Sequence, residues 1–360
     1  MRGPDTLPIG KRARRTTLLF AIVANVLAAI VLFAFGEFAI RWRHEGSARA
    51  AVASFTAKHV DDSPGQQRWL VHDDALGYKL NPADPGVSSL GIRHREIPPD
   101  KPPGLFRVVV LGDSVAFDTD GFVTLLRNRS GAIRTGEVEV VNAAIPGYTT
   151  YQERTLLERD LLAVKPDLVI LQFCLNDNHR FLHMLTKSGK WLITPEAERV
   201  VEPEGQGPLA RVLQSSQLIR EVRLRLLNGL GFPNRFPWDS RADFAAAWQD
   251  RTWPDVEEHV RAMHDLLSAL GARFAVIAVP FEPQFQQKLL ERDKDYTLKP
   301  QRKLSEICAR LEVPLLDLYK AFLAKRDRAL FRDGIHLTPA GHEMVAEQLL
   351  EFLTRERLTK

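Results

Sequence analysis

Cysteine is nearly absent: the 360 residues hold only Cys174 and Cys308, far apart and each in an apolar stretch. So low a count excludes a disulfide-built scaffold, and no cysteine–histidine spacing suggests a zinc site. Both read as buried thiols, with a disulfide open to them in an oxidising compartment. Internal repeats are lacking, which sets aside solenoids and propellers. Also missing is a glycine-rich phosphate cradle after the first strand-like run, which disfavours a nicotinamide enzyme or a P-loop protein. Charge excess is missing from most of the chain. Residues 1–15 hold Arg2, Lys11, Arg12, Arg14 and Arg15 against Asp5, a net of +4, and residues 16–360 carry 44 basic and 44 acidic side chains. A neutral body offers no electrostatic case for nucleic-acid binding. At 45% hydrophobic and 26% charged residues the composition is that of an ordinary globular protein,. The length suits one large α/β domain of about 200–250 residues with additional segments.

Residues 16–36 form a run of 21 residues without a charge. At about 1.5 Å per residue, a helix of that length crosses a hydrocarbon core of about 30 Å. The run exceeds the apolar core of a cleaved signal peptide, and no small-x-small cleavage site follows at once, so a signal anchor is the first reading and a cleaved signal the second. Five Lys and Arg residues precede it, while Arg41, Arg43 and Arg49 follow. That bias predicts residues 1–15 as a cytoplasmic leader, 16–36 as a single transmembrane span, and the rest in the periplasm or at the cell exterior.

Residues 45–60 have a helical pattern. The whole stretch 37–105 reads as a linker or lead-in with short ordered pieces, rich in Pro, Gly and Asp towards its end. From residue 106 the pattern changes. Short apolar runs at 106–111, 138–142, 168–173, 274–279 and 313–318 are those expected of strands buried on both faces of a parallel sheet. Helical patterns separate them, at 151–162, at 256–270 before Gly271 as a cap, and at 303–310. Thr338 and Pro339 mark the start of a last helix, as N-cap and first-turn residue. Alternation of this kind predicts a three-layer α/β domain over residues 106–356. Residues 178–252 interrupt the rhythm with no strong strand and one helical stretch near 217–227. They read as an insertion beside the site.

In open parallel sheets, ligands bind beyond the carboxyl ends of the strands. Four segments fall there: Gly112-Asp113-Ser114, Ile145-Pro146-Gly147, Cys174-Leu175-Asn176-Asp177 and Asp333-Gly334-Ile335-His336. Their order and content resemble the SGNH (GDSL-like) hydrolase family over about residues 106–356, and Leu76-Gly77-Tyr78 with Gly91-Ile92-Arg93 resembles the lead-in of its membrane-anchored bacterial members. The resemblance implies a flavodoxin-like SGNH hydrolase domain with a central parallel sheet, acting on ester bonds. Mapped residue by residue, it implies Ser114, Asp333 and His336 as catalytic groups. The backbone N–H groups of Ser114 and Gly147 and the amide of Asn176 become donors to an oxyanion. No cofactor or metal is implied.

The chemistry is consistent with those residue types. A serine hydroxyl is a poor nucleophile until a base takes its proton. His336 would act as that base and then as the acid for the leaving group. Asp333, three residues earlier, can reach back to fix the imidazole's tautomer. Gly147, lacking Cβ, lets a substrate approach its backbone. Asp113 reads as a residue ordering the nucleophile loop, Asp177 as ordering the loop under Asn176, and His342 as a helix-face residue. Two departures from the family pattern stand out. Cys174 takes a place usually held by glycine, and after Ser114 the run Val115-Ala116-Phe117-Asp118 lacks the glycine that relatives often have near Asp118.

An extracytoplasmic esterase would meet cell-envelope or exported material, and O-acetyl groups on polysaccharide or peptidoglycan lead the substrate expectations. Trp191, Trp238, Trp248 and Trp253 lie in or near the insertion. They serve either as stacking surfaces for sugars or, more commonly for such residues, as glue between a lid and its domain. Two alternatives stay open: an O-acyltransferase using the same three residues, and a non-catalytic envelope module that binds glycan or protein.

Overall fold

A computed structural model describes residues 20–40, 42, 69–98, 100–185, 191–193, 218–219, 222, 236–238, 243–325 and 329–360. The leader 1–15, the helix expected at 45–60 and all but three residues of the one expected near 217–227 lie outside these. The chain divides into two compact units, residues 1–53 with 202–234 and residues 54–201 with 235–360. In the first, a 21-residue helix spans Phe20–Ile40, with an 18-residue window of mean hydropathy 2.2. Residues 16–19 of the uncharged run lie outside the described residues. Its apolar side chains are exposed, among them Leu32 at 71% and Phe35 at 70%.

The second unit opens with a hairpin of β1 (Leu70–Asp73) and β2 (Gly77–Leu80). Its turn is held by Asp73 Oδ1, which accepts from the N–H groups of Ala75 and Leu76 at 3.0 and 2.9 Å. An isolated hairpin is marginal in water. This one buries Leu70, Leu76, Tyr78 and Leu80, each at most 1% exposed. Each buried leucine contributes about 2 kcal/mol. Residues that read from composition as a lead-in are therefore part of the folded body.

Among the described residues seven further strands follow: β3 (Phe106–Leu111), β4 (Val138–Asn142), β5 (Leu168–Phe173), β6 (His183–Leu185), β7 (Trp191–Ile193), β8 (Arg273–Ala278) and β9 (Leu315–Asp317). Five form one parallel sheet in the order β4-β3-β5-β8-β9. Every residue of β3 and β5 is buried, which is why these strands are continuous apolar runs rather than alternating ones. β9 is shorter than the run 313–318 because Pro314 has no N–H to donate; its carbonyl still accepts from Val276 N at 2.9 Å,.

Right-handed crossovers send the helix after β3 to one face and those after β4, β5 and β8 to the other, because the order reverses at β3. The packing agrees. Helix Phe122–Asn128 lies against the last helix, Pro339–Arg355, and helix Thr150–Leu156 lies against Trp253–Ala269. The result is the three-layer, flavodoxin-like arrangement expected. The caps are as read: Thr338 Oγ1 accepts from Gly341 N at 3.2 Å, and Gly271 takes a φ of +71°. The helix expected at 151–162 is α-helical only to Leu156, then widens into a π turn over Leu157–Leu161 and tightens over Leu162–Val164.

Within the insertion, β6 and β7 pair antiparallel, a short hairpin that no strand pattern announced. Trp238, Trp248 and Trp253 are 0, 3 and 4% exposed. Trp238 stacks on Trp248 with centroids 4.3 Å apart, and Trp253 stacks on Phe173. These three rings glue the segment to the domain and present no face to a sugar. The side chain of Trp191 lies outside the described residues.

Candidate active site

The polypeptide leaves β3 through Gly112 and Asp113 into a single helical turn, Ser114–Phe117. Gly112 has no room for a side chain, since a Cβ would lie 2.6 Å from Gln172 Oε1. Asp113 caps the turn, its Oδ1 accepting from Val115 N at 2.9 Å. It is 2% exposed. Burial pushes its carboxyl up, against the hydrogen bond from Val115 and the charge of His336. Ser114, at the first position of the turn, is half-buried.

The structure brings Ser114, His336 and Asp333 into one line. Ser114 Oγ lies 2.8 Å from His336 Nε2, and His336 Nδ1 lies 2.7 Å from Asp333 Oδ2. Asp333 Oδ1 also accepts from the backbone N–H groups of His336 and Ile335, at 2.9 and 3.3 Å. Partial burial raises the Asp333 carboxyl, but these bonds and the imidazole outweigh it and hold the group below its ordinary value. An ionised carboxylate at Nδ1 calls for a proton there. In the neutral ring Nε2 is then left as the acceptor facing serine. The loop carrying the pair is pinned from several sides. Phe331 bridges Leu337, Arg332 N donates to His336 O, and Glu282 N donates to Gly334 O. Arg332 also pairs with Asp118 at 2.6 Å, which ties the loop after Ser114 to the loop that carries His336.

His342 is buried in the last helix. Its Nδ1 accepts from Phe122 N at 3.2 Å, and its ring stacks on Phe122. Burial lowers its pKa. A neutral ring satisfies one otherwise orphaned donor at a helix start, as expected of a helix-face residue.

Gly147 and Asn176 follow β4 and β5, the strands that flank β3 on its two sides. Gly147 has a φ of +76°. It sits in a turn closed by Tyr148 N donating to Ile145 O at 3.1 Å. Asn176 Nδ2 donates one proton to Tyr148 O at 2.8 Å. Its Oδ1 is buried without a hydrogen-bond partner. Below the loop, Asp177 Oδ2 accepts from Cys174 N at 2.5 Å, the ordering role expected of it. Cys174 and Cys308 are free and buried. Burial, then the charges of Asp113 and Asp177, raise the Cys174 thiol well above its ordinary value, which leaves it a neutral packing group.

Two neighbours of these loops carry no sequence signal for their roles. Tyr78 Oη, from β2, donates to Pro146 O at 2.7 Å, and Tyr148 Oη donates back to Tyr78 O at 2.5 Å. Glu153, on helix Thr150–Leu156, is 1% exposed, and neither carboxyl oxygen has a hydrogen-bond partner. Burial, then Asp177 and Asp113, push it well above its ordinary value. An amphipathic helix predicts neither fact. Among the described residues no group of three or more His, Cys, Asp or Glu could hold a metal ion.

A serine–imidazole–carboxylate line at the switch point of a parallel α/β sheet is the arrangement of a hydrolase. The chain belongs to the GDSL-like lipase/acylhydrolase family, whose profile matches residues 110–344, and it is an ester hydrolase. No curated protein sequence matches it significantly. Among solved structures it is similar to a lipase/acylhydrolase from Enterococcus faecalis, at 17% identity over 70% of this chain and 96% of that one, TM-score 0.41. It is also similar to an acetyl xylan esterase from Geobacillus stearothermophilus, at 17% identity over 69% and 94%, TM-score 0.41. A third is the acetyl xylan esterase AlAXEase, at 17% identity over 68% and 98%, TM-score 0.41.

Proposed function

We propose that the chain is a serine esterase that works through an acyl-serine intermediate and is held at the cytoplasmic membrane by its N-terminal helix. The observation that carries the chemistry is the line Ser114–His336–Asp333, with 2.8 and 2.7 Å between successive partners. Ser114 Oγ attacks the ester carbonyl carbon as its proton passes to His336 Nε2. The carbonyl oxygen becomes an oxyanion and takes hydrogen bonds from Ser114 N, Gly147 N and Asn176 Nδ2. Collapse breaks the bond to the alkoxy oxygen, which leaves as the alcohol with the proton from His336. Water then attacks the acyl-serine, giving its proton to His336, and the carboxylic acid departs as Ser114 regains a proton. Asp333 stays ionised throughout and stabilises the imidazolium.

The exposed apolar helix Phe20–Ile40 and the five basic residues before residue 16 support an extracytoplasmic domain,. That side of the membrane presents acetylated envelope and exported polysaccharides, and O-acetyl esters of such glycans are the substrate class we assign. The test is hydrolysis of p-nitrophenyl acetate by the detergent-solubilised chain beside Ser114→Ala. Turnover in the wild type and none in the variant is expected. Equal turnover in both would overturn the serine assignment. Acetate release from O-acetylated xylan or peptidoglycan then tests the substrate class.

A further inference from the structure

We propose that Tyr78, delivered by the hairpin ahead of the hydrolase sheet, is a positioning residue that locks the oxyanion-binding peptide in its working orientation. The inference rests on the serine-esterase reading and adds a residue to it. The segment Ile145-Pro146-Gly147-Tyr148 is a β-turn closed by Tyr148 N to Ile145 O at 3.1 Å. Proline at its second position, and glycine at its third with a φ of +76°, make it a type II turn. Types I and II differ by a flip of the central peptide, here the one joining Pro146 to Gly147. That peptide is trans, so its C=O and N–H point to opposite sides. Whatever holds the carbonyl therefore aims the N–H. A flip would swing the Gly147 N–H away from the oxyanion and put a carbonyl oxygen towards it.

Only glycine could make such a flip without steric cost, since type I places its third residue at negative φ and type II at positive φ. The lock is the Tyr78 hydroxyl, 2.7 Å from Pro146 O. Tyr78 is wholly buried. Burial raises its phenol well above the ordinary value, with Asp113 adding to the effect, so it remains a donor across the working pH range. The hydroxyl also fills the space beside Gly147, where a Cβ would lie 2.9 Å from it. Tyr148 completes the brace. Its hydroxyl holds Tyr78 O, its ring meets Tyr78 edge-on with centroids 5.3 Å apart, and its carbonyl holds Asn176. Both side-loop donors to the oxyanion are thus referred to one tyrosine pair. A polarised Pro146 carbonyl also makes the Gly147 N–H a better donor.

The test uses full-length protein in detergent, wild type against Tyr78→Phe, with active sites counted by a fluorophosphonate probe. Phenylalanine keeps the ring and removes only the lock. The expected result is a fall in kcat per titrated site of about tenfold, smaller than the loss on deleting a donor outright. KM for p-nitrophenyl acetate and the pH profile should stay unchanged. The inhibition constant of phenylboronic acid, whose tetrahedral adduct fills the oxyanion site, should rise by the same factor. An unchanged kcat per titrated site would overturn the proposal and leave Tyr78 a packing residue. If Tyr78→Phe does not fold, Tyr148→Phe replaces it, since it removes the hydroxyl that holds Tyr78 O and so loosens the lock without touching Gly147. The same kcat loss is expected there, and an unaltered kcat overturns the proposal. Wild-type turnover that survives Ser114→Ala would instead defeat the underlying serine reading, so the two failures are distinguishable.

Discussion

Replacing Glu153 by glutamine should stabilise the protein, and by more as the pH rises. Both carboxyl oxygens of Glu153 are buried without a hydrogen-bond partner, and two further buried carboxyls, Asp177 and Asp113, raise its pKa beyond the effect of burial. The folded chain therefore keeps a proton that the unfolded chain releases at the ordinary value of a glutamate, near 4.5. Above that value the native state binds more protons than the unfolded one, and stability falls with pH. The fall approaches about 1.4 kcal/mol per pH unit for one such group, until its folded pKa is reached. A glutamine of the same shape does not titrate and puts no charge beside Asp177 and Asp113. Urea unfolding at pH 5, 6 and 7, followed by tryptophan fluorescence, measures the difference; Trp238, Trp248 and Trp253 are buried reporters in the same unit. The two stability curves should diverge with pH, the variant lying above. Parallel curves would refute the reasoning, because they would mean that Glu153 ionises at no special cost.

Other substitutions test separate parts of the structure. Asn176→Ala should lower kcat by about 10²–10³-fold with little change in KM, the signature of losing a donor that acts mainly in the transition state; a proportional rise in KM instead would make Asn176 a ground-state contact. Arg107→Ala should destabilise the fold by about 3 kcal/mol, because it leaves Glu139 buried after losing a partner 2.6 Å away,. Arg107 is 1% exposed and far from the chemistry in role, so kcat per folded molecule should be unaffected; steady-state kinetics on the folded fraction checks this.

The central sheet was legible because its strands are buried on both faces. Val108, Val109 and Val110, or Leu168 to Leu171, need no partner to be recognised as core. Ser114, His336 and Asp333 stood out for a related reason. Strand ends are where a parallel sheet gathers its functional loops, and Asp333 and His336 are close enough in sequence to be read as a pair. The hairpin was hidden. Its strands carry His72 and Lys79 among the apolar residues and are flanked by Asp, Pro and Gly, so composition made them linker. What gives Tyr78 its place is a bond to Pro146, 68 residues away, and no local pattern encodes that. Glu153 was hidden differently. On a surface helix a glutamate is ordinary, and only tertiary packing around helix Thr150–Leu156 makes it a buried acid. The kink at Leu157–Leu161 and the β6–β7 hairpin likewise follow from tertiary packing rather than from propensity.

The hydrogen bond from Ser114 to His336 joins residues 222 positions apart. A chain made from its N-terminus presents Ser114 long before His336, and all five strands of the parallel sheet are made between or before them. For most of synthesis Ser114 is an ordinary hydroxyl. A chain that stops short of residue 336 lacks this contact however much of the sheet it has already built.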